Sequence, residues 1–234
     1  EAIQTFNRVI QLNPDSADAY SNRGNILTNL GRSDEALRDY DKAIQIKPSF
    51  AKAHTNRGNL LKDLGQLDEA LLNYDKAIQL KPDYAEAYSN RGNALLALGR
   101  YEEALPNYDQ ATQIKPDFAE AYCNRGAALE RLDRHEEALP NYDQAIQIKP
   151  DFAYAYYNRG AALEKLDRHE EALPNYDQAT QIKPNFAEAY CNRGNILKIL
   201  GRLDEALLNY DKAIQIKPDY SEAYSNRGTF LQQL

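Results

Sequence analysis

The chain has 234 residues, with 28 basic and 35 acidic side chains and a formal net charge of −7. An acidic balance argues against a phosphate-backbone binder, which needs a basic face, so no nucleic-acid partner is expected. No apolar run approaches the roughly 18 residues of a membrane span, and no signal-peptide pattern is present, so no membrane partner is expected either.

The chain opens inside a repeating unit. Residues 1–16 read as the second half of one repeat. Six full repeats follow at 17–50, 51–84, 85–118, 119–152, 153–186 and 187–220, and 221–234 reads as the first half of another. The period is visible in single residues. Pro14, Pro48, Pro82, Pro116, Pro150, Pro184 and Pro218 are each 34 apart, as are the seven Asn-Arg-Gly triplets. The repeats 119–152 and 153–186 share 29 of 34 residues. A chain that begins within a repeat reads as a piece whose native N-terminus is unseen.

Each repeat reads as two helices. Asp117 with Glu120, and Asp219 with Glu222, have the spacing of a capping box at the start of the first. Tyr122, Gly126 and Leu129 then share one helical face. A glycine inside a helix costs roughly 1 kcal/mol against alanine, so its recurrence predicts close contact with another helix. Gly31, Gly65, Gly99 and Gly201 suit a left-handed C-terminal cap, and Asp133 and Asp167 stand there in the two copied repeats.

In the second helix Ala138, Tyr142, Ala145 and Ile146 form the expected buried stripe, and Pro150 stops it. Pro106, Pro140 and Pro174 fall near the end of the first turn. They predict a slight bend and no break. The arginines from Arg23 to Arg227 are expected to pair with the recurrent Asp41, Asp75, Asp109, Asp143, Asp177 and Asp211.

The set Tyr122, Gly126, Leu129, Ala138, Tyr142, Ala145 and Pro150 resembles the tetratricopeptide repeat, a 34-residue helix–turn–helix unit. The likeness covers the whole chain. It implies an all-α class, an α-solenoid of tandem helix–turn–helix repeats wound into a right-handed superhelix. It also implies a non-catalytic domain that binds a protein or extended peptide segment in a concave groove lined by first helices.

Carried onto this sequence, the sixth repeat position gives an asparagine ladder: Asn22, Asn56, Asn90, Asn124, Asn158, Asn192 and Asn226. An amide donates and accepts, so it can hold a peptide group without reading its side chain. Helices spaced roughly 8–10 Å apart, against an extended peptide rising about 3.3 Å per residue, would let successive rungs hold every third residue. Alternatively, each asparagine serves only to bond the adjacent repeat. Asn59 extends the ladder at the ninth position, where Ala127 and Ala161 are expected to leave an apolar patch.

Tyr154 and Tyr157 replace the Glu120 and Cys123 of the preceding copy, and are read either as ligand anchors or as shields for a neighbouring helix. Lys52 and Lys62, with Asn22, Asn56 and Asn59, resemble part of a carboxylate clamp, although Ser21 and Glu86 stand where further lysines are expected. Two other readings remain open. One is a substrate-selecting region of a larger enzyme such as a glycosyltransferase. The other is head-to-tail self-association through the two half-repeats, which nearly complete one unit.

No catalytic or metal-binding constellation is present and no cofactor is implied. His54, His135 and His169 are expected at the surface, and Cys123 and Cys191 beyond disulfide reach. Two such cysteines fit a reducing compartment, so the expected location is cytoplasmic.

Overall fold

A computed structural model of the chain describes residues 1–231. Residues 232–234 of the last half-repeat lie outside that range. The described residues are all-α, fourteen helices and no strand, in two compact units.

The first unit, Glu1–Pro116, holds α1 (Ala2–Leu12), α2 (Ala17–Asn29), α3 (Ser33–Ile46), α4 (Ala51–Asp63), α5 (Leu67–Leu80), α6 (Ala85–Ala97) and α7 (Tyr101–Ile114). The second, Asp117–Leu234, holds α8 (Ala119–Glu130), α9 (His135–Ile148), α10 (Ala153–Lys165), α11 (His169–Ile182), α12 (Ala187–Ile199), α13 (Leu203–Ile216) and α14 (Ser221–Leu231). Within each unit successive helices pack as neighbours, and first helices also touch first helices, as α2 does α4 and α8 does α10. The tetratricopeptide expectation of paired helices is met.

The cap between paired helices follows the sequence. Gly31, Gly65, Gly99 and Gly201 have φ of +72°, +77°, +75° and +74°. Asp133 and Asp167 take the same left-handed turn at φ 57°. The internal prolines break nothing. α7, α9 and α11 each run 14 residues, the length of the proline-free α5. Lys149, before Pro150, leaves helical geometry at φ −133° and ends α9.

The capping box is a correction. The residue preceding α8 is Phe118, not Asp117, and no side chain caps that helix. Packing explains the shift. From α4 onward an aromatic stands just before each first helix and is partly or fully buried, as with Phe186 at 4 % exposed, and a lysine ammonium covers several of these rings. Lys47 lies 5.0 Å over Phe50, Lys149 4.9 Å over Phe152 and Lys183 4.5 Å over Phe186. Such contacts contribute roughly 0.5–1 kcal/mol at exposed sites. The acidic residue is thereby left one position too early to cap. Ser16 before α2 does accept from the Ala19 amide, at 3.3 Å.

The stripe expectation holds in part. Ala138, Tyr142 and Ala145 are fully buried, whereas Ile146 and Tyr122 are half-buried.

Candidate functional site

Each first helix is held in place by the tyrosine of the second. A Cβ on Gly24 would lie 2.7 Å from Tyr40 Cε1, and one on Gly126 2.7 Å from Tyr142 Cε1. The glycine is therefore the socket for the ring, and the predicted close contact is within the repeat. The ring buries its hydroxyl, which must then find an acceptor.

In most repeats that acceptor is the ninth-position asparagine. Tyr40 Oη donates to Asn25 Oδ1, Tyr74 to Asn59 and Tyr108 to Asn93, all at 2.8 Å, and Tyr210 to Asn195 at 2.9 Å. In the two copied repeats a carboxylate one turn further on replaces it. Tyr142 Oη donates to Glu130 Oε2 at 2.6 Å, and Tyr176 to Glu164 Oε2 at 2.8 Å. The expected apolar patch at Ala127 and Ala161 is therefore corrected, because these glutamates reach back into it. Burial raises the pKa of Glu130 above the usual carboxylate range, against the lowering effect of the Tyr142 hydrogen bond. The signal was in the sequence: glutamate occupies the twelfth position only where alanine occupies the ninth.

The arginine expectation is met. Arg57 Nε donates to Asp41 at 2.8 Å, and Arg91 to Asp75, Arg159 to Asp143 and Arg227 to Asp211 at 2.6 Å. Arg193 pairs likewise with Asp177. Each pair joins a first helix to the preceding second helix. The same guanidinium also reaches its own repeat's second helix, as Arg91 Nη1 to Asn107 Oδ1 at 3.1 Å and Arg193 to Asn209 at 2.9 Å. Arg23, with Asn7 in place of an aspartate sixteen residues before it, uses Asn7 at 2.6 Å and buried Asp39 instead. The aspartates are largely exposed, so each pair contributes about 0–1 kcal/mol. Their function is to fix helix orientation.

On this frame the ladder asparagines lie half-buried along the first helices. The amide nitrogens of Asn56, Asn158, Asn192 and Asn226 point at the preceding repeat. Asn56 Nδ2 is 3.5 Å from Ser21 Oγ, Asn158 Nδ2 3.7 Å from Cys123 Sγ and Asn226 Nδ2 3.6 Å from Cys191 Sγ. Asn192 Nδ2 lies 3.3 Å from Tyr157 Oη, and Asn226 Nδ2 also reaches Asn195 Oδ1 at 3.0 Å. Contacts of 3.5 Å to oxygen, or any to sulfur, are weak, so Asn56 and Asn158 retain hydrogen-bonding capacity. Asn56 and Asn59 line a cavity of about 170 Å³ with Asn25, Thr28, Leu60 and Asp63, between α2 and α4. Asn22, Asn90 and Asn124 occupy the equivalent positions on α2, α6 and α8.

Tyr154 and Tyr157 both pack on Phe186, with centroids at 5.1 and 4.8 Å. Lys183 Nζ donates to Tyr154 Oη at 2.7 Å and lies 4.4 Å over its ring. Tyr154 nevertheless remains 49 % exposed. Tyr157 is deeper, and burial lifts its pKa to about 12. Of the clamp residues, Lys62 forms an ion pair with Asp63 at 2.6 Å, while Lys52 is exposed on α4.

The histidine expectation is corrected. His54 is 9 % exposed, and burial lowers its pKa below the usual 6.5. The side chains of His135 and His169 are only 17 % and 20 % exposed. Each stands two residues after a left-handed aspartate, Asp133 or Asp167. Among the described residues no His, Cys, Asp and Glu cluster could hold a metal, and no helix is long and apolar enough to cross a membrane. Cys123 and Cys191 are free and buried, with pKa values pushed up by burial to about 12 and about 11. Neither has the thiolate character of a nucleophile.

Comparison with curated proteins finds no match. Among solved structures, YrrB, described as a TPR protein with an unusual peptide-binding site, is 28 % identical with a TM-score of 0.64, covering 81 % of this chain and 97 % of that one. MamA is 25 % identical at a TM-score of 0.64, covering 75 % and 96 %. PilF of Pseudomonas aeruginosa shares the fold at 21 % identity and a TM-score of 0.81, covering 91 % and 97 %. The profile described as TPR repeat matches residues 1–31, 58–99, 92–133 and 194–234. Profiles described as tetratricopeptide repeat match 17–50, 119–152 and 153–186, and 39–71 and 175–207. The chain belongs to the tetratricopeptide-repeat family.

Proposed function

We propose that this chain is a non-catalytic scaffold that holds an extended segment of a partner protein along its first helices, gripping the segment's backbone through the asparagine ladder. The observation that carries this reading is the weak internal bonding of Asn56 and Asn158, beside a cavity lined by Asn56 and Asn59. A side chain kept only to tie two repeats together would form a shorter bond, as the Arg–Asp pairs do at 2.6–2.8 Å. The description of YrrB as peptide-binding supports the same class of partner. Tyr154 and Tyr157 supply an aromatic contact for one partner side chain, stiffened by Phe186 and Lys183. Lys52 supplies a positive charge, and Lys62 does so only if a partner carboxylate displaces Asp63.

Peptide-library selection on the intact chain and on a variant with Asn56, Asn158 and Asn192 all changed to Ala tests this. The triple variant should keep its helical circular dichroism and lose binding by about tenfold or more, as expected for removing several backbone hydrogen bonds. Equal binding by both chains would make the ladder purely structural.

A further inference from the structure

The repeats 119–152 and 153–186 differ at five positions, so each is an internal control for the other. Two of the five differences remove a carboxylate: Tyr154 stands against Glu120, and Asn185 against Asp151. The other three leave the charge unchanged, with Lys165 against Arg131, Tyr157 against Cys123 and Thr180 against Ile146.

Both lost carboxylates act on one lysine. Lys149 Nζ donates to Glu120 Oε1 at 3.0 Å, and this bond, together with the field of Asp151, raises the lysine's pKa. In the repeat after the copy, Lys217 again pairs with a glutamate, Glu188, at 3.7 Å. Lys183 is the equivalent lysine between them, and among the described residues no carboxylate pairs with it.

An aromatic seat takes the place of the missing acid. The Lys183 ammonium lies 4.4 Å over Tyr154 and 4.5 Å over Phe186, and it donates to Tyr154 Oη at 2.7 Å. Phe186 is buried, and Tyr157 packs on it at 4.8 Å. Ring faces attract an ammonium but leave its charge uncompensated. Of its three hydrogens, Tyr154 takes one. The Tyr154 oxygen is occupied as an acceptor yet keeps its own hydrogen to donate. Two donors 2.7 Å apart, one of them charged, suit the two oxygens of a carboxylate. Tyr154 is 49 % exposed, so the pair can be approached from solvent. The rings exclude water from the other side, which strengthens the attraction over that of two fully exposed charges.

We propose that Lys183 and Tyr154 bind the side-chain carboxylate of an aspartate or glutamate in the partner segment, which fills the place that Glu120 fills in the preceding copy. This rests on the reading above that the first helices hold a partner segment, and it names the chemistry of one of that segment's residues.

Peptide-library selection on the intact chain and on a Tyr154→Glu, Asn185→Asp double variant tests it. The double variant restores the chemistry of the preceding copy, and circular dichroism checks that it stays helical. The intact chain should enrich peptides with an acidic residue at one position. The double variant should bind the best of them roughly tenfold more weakly, as for loss of one charged hydrogen bond, and Lys183→Gln should do the same. Changing the acidic peptide residue to Asn or Gln should weaken binding to the intact chain equally and leave binding to the double variant unchanged. Absence of acidic enrichment, or undiminished binding by both variants, would overturn the proposal. So would a loss seen only on amidating the peptide C-terminus, which would assign the site to a terminal carboxylate. The ladder fails separately: binding that survives the asparagine changes but weakens in the double variant removes the ladder and supports this site. The reverse pattern keeps the ladder and overturns this site.

Discussion

The copied repeats 119–152 and 153–186 and the flanking repeats solve one packing problem with different chemistry. Both bury a second-helix tyrosine against a first-helix glycine. The flanking repeats 85–118 and 187–220, like 51–84, accept its hydroxyl with a neutral amide, the copied ones with a carboxyl group. They also differ at the turn, where glycine gives way to Asp133 and Asp167. Shape is thus fixed by the ring, while the acceptor is free to vary, provided that one exists. The choice of carboxyl brings a titratable group into the interior, and at Glu130 burial raises its pKa.

Breaking the shared element should have the largest effect. Tyr142→Ala and Tyr74→Ala should each cost about 3–5 kcal/mol by cavity formation. Urea unfolding should show similar losses for both, because the ring contributes equally in the two kinds of repeat. A large difference would mean that the acceptor, not the ring, dominates.

Removing only the hydroxyl should separate them. Tyr142→Phe leaves the Glu130 carboxyl without its donor, at about 1–3 kcal/mol, whereas Tyr74→Phe leaves a partly exposed amide, at about 0.5–1.5 kcal/mol. Equal costs at neutral pH would remove the distinction between carboxyl and amide acceptors.

The pH dependence sharpens the same contrast. The folded-state pKa of Glu130 is raised, chiefly by burial. Its contribution is therefore fully present below the unfolded carboxyl pKa and lost as pH rises through the folded value. Glu130→Gln should abolish that loss on the alkaline side of the carboxylate range, read as thermal midpoint against pH. An unchanged slope would show that the site is not titrating. His54 acts oppositely: its lowered pKa means that stability is lost as pH falls below about 6.5.

The smallest effect concerns the turn. Asp133 sits at φ 57°, a conformation that glycine adopts without Cβ strain. Asp133→Gly should stabilise by at most about 1 kcal/mol, since the gain is partly offset by the greater freedom of glycine in the unfolded chain. Differential scanning calorimetry resolves a shift of that size, and a destabilised variant would mean that the Asp133 side chain contributes more than its backbone strain costs.

Much of this was legible in advance. The period placed the helix pairs, the left-handed turns at Gly31 and Asp133, and the Arg57–Asp41 type of pair, because each depends on residues at fixed sequence offsets. The capping box at Asp117 failed because burial of Phe118-type aromatics shifts the helix start by one residue. The depth of His54 was missed because a lone polar residue carries no periodic signal of its surroundings. At the ladder, the sequence named the asparagines but not the length of their bonds.

By itself, then, the sequence determined the repeat, the all-α class and the Arg–Asp partners at an offset of 16 residues, since those follow from helix period and turn length alone. Only the tertiary structure decided which acceptor meets each buried hydroxyl and how weakly Asn56 and Asn158 are held. Those depend on distances between helices, where a few tenths of an ångström separate a satisfied amide from one with capacity to spare.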